Sequence, residues 1–295
     1  MIRSRKNKYT GLFYVLPFIV GLLVFQLYPF IASFFYSFTD LSIANEWEWV
    51  GLANYIKSFT ADRDFWQSLC VTGIYVFIAV PCKLVFALFI AMVLNMKIKG
   101  IRFFQTLYYI PSILGGSVAV SVIWRFMFSH DGLVNTLTSY LGLPALEWLG
   151  SKNLALPTVS LLAVWQFGSS MVLFLVGLKQ IPVSLYEAAA IDGASKTHQF
   201  LKITLPMLTP TVLFNVIMQT IGAFQEFTSA FIITAGGPMK STYMYGMMLY
   251  NNSFKYYKMG YASAQSWILF IIIMAVTGLL FLSSKKWVYY EDGGK

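Results

Sequence analysis

Six side chains able to engage a polar ligand stand inside long apolar runs of this 295-residue chain: Lys83, Trp165, Gln166, Asn215, Gln219 and Glu226. Charged and strongly polar groups in such runs are costly in hydrocarbon and point to function by default. Asn215 and Gln219 are four residues apart and Gln219 and Glu226 seven, so the three are expected on one helical face. That face offers hydrogen bonds to a hydroxyl-rich solute; polar packing between helices is the alternative use. Trp165 beside Gln166 sets an aromatic face next to an amide, which suits stacking on a sugar ring or, alternatively, a core tryptophan. Lys83, two residues after Pro81, pairs with Glu226 or meets an anionic solute. Arg125 is expected to snorkel to the interface.

Residues for bond-making chemistry are missing. Asp62 and Asp64 alternate in a polar stretch and read as a solvated cluster rather than a catalytic pair. His130 and His198 are the sole histidines, and no Cys/His cluster has metal-ligand spacing. Cys70 and Cys82 lie in one predicted helix, about 18 Å apart at helical rise, too far for a disulfide. In Gly236-Gly-Pro-Met-Lys-Ser-Thr242, Met239 occupies the place where a phosphate-binding loop requires glycine before lysine. The chain is therefore expected not to be an enzyme and to hold no metal or nucleotide cofactor of its own.

The elements that must position these residues follow from composition. Apolar residues make up 58% of the chain and charged residues 11%, against roughly 25% charged in a globular domain. Six runs approach or exceed the ~20 residues that cross a bilayer core as a helix: Leu12–Tyr36, Ser68–Met96, Phe103–Phe128, Leu154–Leu178, Leu205–Thr234 and Ala262–Leu282. They do not alternate polar and apolar, which excludes an outer-membrane barrel. The expected fold class is all-α, a polytopic membrane protein of six transmembrane helices. The first run is too long for a signal peptide's apolar region and reads as an uncleaved span. Pro17, Pro29, Pro81, Pro111, Pro157, Pro206 and Pro210 fall in or at the ends of runs and are expected to kink them.

Orientation follows from the basic residues. Arg3, Arg5, Lys6, Lys8, Lys97, Lys99, Arg102, Lys179, Lys196, Lys202, Lys285, Lys286 and Lys295 fall on one side, 13 of 21. The positive-inside rule makes that side, with both termini, cytoplasmic in a cell membrane. The outer loop 37–67 then carries Asp40, Glu46, Glu48, Asp62 and Asp64. A net charge of +9 would suggest nucleic acid in a soluble protein, but here it belongs to helix ends beside the lipid bilayer, and no soluble basic domain exists to bind nucleic acid. The division is a tail over 1–11, a permeation domain over 12–282 and a second tail over 283–295.

The cytoplasmic link 179–204 is polar yet ordered in pattern. Ser184 and Glu187 have capping-box spacing, Ala188, Ala189 and Ala190 favour helix, and Asp192-Gly193 ends it, glycine being suited to a left-handed cap. Ser195 is placed to cap a second short helix running to about Ile203, and Pro206 opens the fifth span. Across the link and into the fifth span, Glu187, Ala188, Ala189, Gly193, Ile203, Leu205 and Pro206 reproduce Glu-Ala-Ala, three residues, Gly, nine residues, Ile-x-Leu-Pro.

That pattern resembles the EAA loop (184–206) of ABC importer permeases. The resemblance covers most of the chain and narrows to the maltose-type sugar permeases: Val50-Gly-Leu-Ala-Asn-Tyr55, Asp64-Phe-Trp66, Phe103-Phe-Gln-Thr-Leu-Tyr-Tyr-Ile-Pro111, Trp124-Arg125, Gly132-Leu-Val-Asn135, Thr234-Ala-Gly-Gly-Pro238, Thr242, Phe254 and Gly260-Tyr-Ala-Ser-Ala264 follow that family's order and spacing. Gln105 departs from it, since the family often has arginine there. The resemblance implies an ATP-driven importer of a sugar, oligosaccharide or related solute. Glu187, Ala188, Ala189, Asp192 and Gly193 would then couple the spans to an ATPase subunit. It also implies two ABC ATPase subunits that bind ATP and Mg, an extracytoplasmic solute-binding protein, and, because one EAA loop is present, a second related permease forming a heterodimer, with a homodimer as the alternative. An ion-gradient-driven secondary transporter is the competing class; it calls for inverted internal repeats and leaves the EAA pattern without a use.

Overall fold

The computed structural model describes residues 10–42, 47–96 and 99–289, with side chains from residue 13 onward. Arg3, Arg5, Lys6, Lys8, Glu46, Lys97 and Lys295, which entered the orientation argument, lie outside the described residues. The helices in chain order are α1 (Thr10–Leu22), α2 (Tyr28–Tyr36), α3 (Ala53–Thr60), α4 (Arg63–Leu94), α5 (Ile101–Leu114), α6 (Val118–Met127), α7 (Leu133–Tyr140), α8 (Ala155–Trp165), α9 (Gly168–Gln180), α10 (Val183–Ile191), α11 (Lys196–Gln199), α12 (Leu205–Phe224), α13 (Thr228–Thr234), α14 (Tyr245–Tyr250) and α15 (Met259–Ser284). π-helical turns join α1 to α2 and α11 to α12, and one follows α14. No strand occurs among the described residues; Thr39 and Trp49 form an isolated antiparallel bridge.

Among the described residues, four continuous helical stretches are long and apolar enough to cross a membrane: Phe13–Tyr36, Arg63–Leu94, Lys196–Phe224 and Met259–Ser284. Two more candidates are bent pairs, α5 with α6 at 98° and α8 with α9 at 47°. Counting each pair as one span gives six, in the order read from the sequence.

The sharp bends do not fall at prolines. α4 runs through Pro81, and α12 runs through Pro210. The third run breaks instead at Gly115-Gly116-Ser117, where two glycines weaken the helix and Ser117 starts the next one, its hydroxyl accepting from the Val120 amide at 3.3 Å. The fourth breaks at Gln166-Phe167. The expected fifth span, Leu205–Thr234, begins earlier and ends earlier: the helical stretch starts at Lys196 and stops at Phe224, with a further break before α13.

The chain divides into two compact units, Met1–Asp62 with Leu249–Ile271, and Arg63–Met248 with Ile272–Lys295. In the first unit the end of α2 is tied to the following loop. Asn54 Nδ2 donates to the carbonyls of Ser37 (3.0 Å) and Thr39 (2.8 Å), and Tyr55 donates to Ser37 Oγ at 2.7 Å. Asp62, expected in a solvated cluster, accepts from the Tyr261 hydroxyl at 2.6 Å. The Gly260 amide donates to the Leu41 carbonyl at 2.9 Å, and a Cβ on Gly260 would collide with the Thr39 carbonyl. Gly260→Ala should therefore destabilise this unit by about 1–3 kcal/mol, the usual cost of overpacking. Thermal unfolding in detergent would read it as a lowered midpoint; a parental midpoint would mean that the backbone relaxes freely there.

The second unit holds the core. Ala87 and Ala91 of α4, Phe174 and Met171 of α9 and Leu208 of α12 are almost fully buried in one cluster, with Tyr186 and Ile203 packed against it. Small residues on α4 let the helices approach closely, which is how membrane helices gain packing. Asp64, the other residue of the expected solvated pair, forms an ion pair with Lys240 at 2.5 Å in this unit.

Candidate functional site: a polar cavity and a capped helical knob

Two features of the second unit bring together residues singled out in the sequence. The first is a cavity of about 200 Å³ walled by Tyr75 and Lys83 of α4, Gln166 at the break of the fourth span, Gln219 and Gly222 of α12, and Glu226. Four of the six residues anticipated from the sequence thus meet in one place. Glu226 reaches it by another route than expected. α12 has ended at Phe224, so Glu226 does not share a continuous helical face with Gln219; it lies in the break, where its Oε1 accepts from the amide (2.9 Å) and hydroxyl (2.7 Å) of Ser229 at the start of α13. Lys83 and Glu226 wall the same cavity without a direct ion pair.

Asn215 and Trp165 are not among the lining residues. Asn215 is fully buried one turn below Gln219, its Nδ2 donating to the Thr211 carbonyl at 3.1 Å and its Oδ1 without a hydrogen-bond partner. Trp165 packs its ring 6.2 Å from that of Trp124, the packing role that was its alternative reading. Arg125 is exposed, its guanidinium donating to the Ile232 carbonyl at 3.5 Å.

Sequence reasoning missed Tyr75, which lines the cavity, and it missed the surroundings of Gln166. The Gln166 amide nitrogen donates to the Gly115 carbonyl at 2.7 Å, and Ser112 Oγ donates to the Gln166 backbone carbonyl at 3.0 Å. The Gly115-Gly116 pair was the available signal for a break.

The second feature is the segment between α9 and α12. α10 starts at Val183 with Pro182 in the cap position and no side-chain cap. The anticipated capping box of Ser184 and Glu187 is therefore not formed; with Pro182 as the cap the helix starts two residues earlier, and Ser184 already lies inside it. The C-terminal end follows expectation. Gly193 has φ +77°, its amide donates to the Ala190 carbonyl (3.1 Å), and the Ala194 amide donates to the Ala189 carbonyl (2.8 Å). This is a Schellman cap, in which two otherwise orphaned carbonyls are satisfied across a left-handed glycine.

Ser195 then caps α11 as expected, its Oγ accepting from the His198 amide at 3.3 Å. Ser195→Ala should cost the local helix about 1 kcal/mol. Hydrogen exchange would read this as faster exchange at the amides of α11; unchanged exchange would assign α11's order to its packing alone. The second short helix does not end before the fifth span but runs into it through the π turn Phe200–Thr204. The Tyr186 hydroxyl lies 2.9 Å from Thr204 Oγ1, and buried Gln199 donates to the Ala194 carbonyl at 3.2 Å. The knob is thus hydrogen-bonded within itself and packed on the core through Tyr186 and Ile203, while Ile191 is 87% exposed.

Comparison with known proteins adds the family. The family described as "Binding-protein-dependent transport system inner membrane component" matches residues 58–289. A relative in Bacillus subtilis (strain 168), the "Probable ABC transporter permease protein YesP", is 48% identical over 291 residues, 98% of this chain and 94% of the relative. The "Multiple sugar-binding transport system permease protein MsmF" of Streptococcus mutans is 36% identical over 290 residues, 97% of this chain and 98% of that one. Among solved structures, a chain of a bacterial alginate ABC transporter, crystallised with an alginate pentasaccharide-bound periplasmic protein, superposes with a TM-score of 0.78 over 94% of both chains at 19% identity, a likeness of fold. The family match spans both the cavity and the knob, and the chain belongs to the binding-protein-dependent transport system inner membrane components, the multi-pass, non-enzymatic permease subunits of maltose-type ABC importers.

Proposed function

We propose that this chain forms part of the path by which a sugar, oligosaccharide or related glycan crosses the cell membrane, driven by ATP hydrolysed on partner subunits. The observation that carries the reading is the cavity itself. Lys83, Gln166, Gln219 and Glu226 bring donors and acceptors together inside apolar spans, a setting that is costly unless a polar solute uses it. The relatives' names, with sugar in one of them, agree with that chemistry. Asn215 and Trp165 support the wall from behind rather than touching solute.

The knob is the coupling element. Glu187, Ala188, Ala189, Asp192 and Gly193 form a stiff, capped projection whose exposed apolar tip calls for a protein partner. A groove of about 540 Å³ beside it, lined by Asp192, Gly193, Ser195 and His198, gives such a partner a surface. In this reading the knob and both termini are cytoplasmic, the partner is an ABC ATPase, and ATP and Mg are bound there rather than by this chain. The assembly comprises two such ATPases, a second related permease in a heterodimer, and a solute-binding protein outside. Residues 1–11 and 283–295 are cytoplasmic tails around the permeation domain 12–282, with the coupling loop at 184–206.

The reading is tested in proteoliposomes containing the complex purified from its native membrane, with labelled maltotriose and alginate trisaccharide as probes and the cognate binding protein outside. Uptake is expected to require enclosed ATP and to survive ionophores. Uptake abolished by ionophores and indifferent to ATP would replace it with an ion-gradient-driven transporter.

A further inference from the structure

The breaks of the third and fourth spans cap each other. A helix that stops inside a membrane leaves backbone groups with no water to satisfy them. At the third span's break the freed Gly115 carbonyl is taken by the side-chain amide of Gln166, 2.7 Å away. At the fourth span's break the freed Gln166 carbonyl and Ser169 amide are both taken by one hydroxyl, Ser112 Oγ, at 3.0 and 2.9 Å. Each break is thus closed by a side chain from the other span.

Two glycines make the approach close enough. A Cβ on Gly115 would overlap the Gln166 side chain, and a Cβ on Gly168 would lie 2.8 Å from both Ser112 Oγ and the Tyr108 carbonyl. Gln166 also lines the solute cavity, whereas Ser112 does not. Among the described residues the Gln166 side-chain oxygen has no hydrogen-bond partner, and the residue lines the cavity, so the oxygen is available to a hydroxyl donor there.

We propose that the two breaks are a single joint. Gln166 is its positioning residue and passes displacements of the cavity wall to the bend of the third span, and displacements of that bend back to the wall. This deepens the reading of the cavity as a solute path and rests on it for its role in transport. The joint's own mechanics do not depend on that reading. An occupant that donates to the Gln166 oxygen polarises the amide and tightens its hold on Gly115, so occupancy favours one setting of the bend. A two-state element biased from one side in this way is the physical basis of coupling between sites.

The test uses the intact complex in lipid nanodiscs, with Cys70 and Cys82 replaced by alanine and Gly222→Cys introduced as a reporter. Gly222 lines the cavity and has open space around its Cβ. The probe is a water-soluble trimethylammonium methanethiosulfonate, and the readout is the labelling rate of the reporter thiol. Ser112→Ala, which removes no cavity-lining side chain, is expected to change that rate about fivefold or more, the low end of ordinary coupling between sites. Gln166→Leu is expected to do the same, and the double variant to go no further than the larger single effect, because both cut one joint. Thr106→Ala, which removes a hydroxyl bonded only to the Arg102 carbonyl of its own helix, should label at the parental rate.

A parental rate in Ser112→Ala, or simple additivity in the double variant, would overturn the joint. Where Gln166→Leu fails to assemble, Ser112→Ala decides alone. The readout needs neither solute nor ATP, so the two readings fail separately. A parental labelling rate with uptake lost in Gln219→Leu removes the joint and keeps the path. An altered rate with full uptake in Gln219→Leu keeps the joint and removes the path.

Discussion

Gly193→Val should leave an assembled importer that hydrolyses ATP and no longer moves solute. Gly193 sits at φ +77°, in the left-handed region where a Cβ costs roughly 1–2 kcal/mol and a β-branched residue more. Valine there must either hold that strain or undo the cap, releasing the Ala189 and Ala190 carbonyls that the Ala194 and Gly193 amides now satisfy. Undoing it changes the angle between α10 and α11 at the exposed tip of the knob. The anchor at the base, Tyr186 against Thr204, is untouched, so the chain should still reach the membrane and assemble. Uptake in proteoliposomes is expected to fall about a hundredfold, toward the upper end of measured couplings between sites, while ATP hydrolysis persists. Gly193→Asn is the control, since asparagine tolerates this conformation, and it should retain most uptake. Parental uptake in the valine variant would detach the cap from coupling.

Glu226→Ala is the second large effect. Its Oε1 holds two donors of Ser229 at the start of α13, and its charge faces the same cavity as Lys83, Gln166 and Gln219. Alanine removes the cap on α13 and the sole carboxylate among the lining residues. Hydrogen bonds to a charged group are worth about 1.5–3 kcal/mol, and 1.4 kcal/mol is tenfold. Initial uptake rates should therefore drop by about ten- to a hundredfold. Glu226→Gln keeps an acceptor for Ser229 and loses only the charge, so it should fall between alanine and parent. Parental uptake in Glu226→Ala would remove the carboxylate from the path and leave it a helix cap.

How much of this was legible in the sequence differs by physical cause. The apolar helices were, four of them continuous and two as bent pairs, because a bilayer demands some twenty apolar residues in a row. Gly193 and Ser195 were, because their roles are local: a left-handed turn and a cap are decided within five residues. The breaks were not. Pro81 and Pro210 looked like the places for bends, yet α4 and α12 run through them. The 98° bend came at Gly115-Gly116, whose freed carbonyl is satisfied by a residue 51 positions away. Nothing within one helix's sequence announces such a partner. Glu226 and Gln219 do line one cavity, but not through a shared helical face, since the seven-residue spacing assumed a helix that stops two residues earlier. Ser184 illustrates the converse: its spacing to Glu187 fits a capping box, but Pro182 starts the helix first.

The measurement that bears most directly on the account is what this chain is bound to. A tagged copy extracted gently from its native membrane should bring with it, by mass spectrometry, an ATPase carrying a phosphate-binding Walker motif and a second permease with its own Glu-Ala-Ala loop. Gly193→Val should retain both, since its defect is in coupling and not in assembly. Recovery of this chain alone in several mild detergents, with solute uptake intact, would contradict the account at its centre.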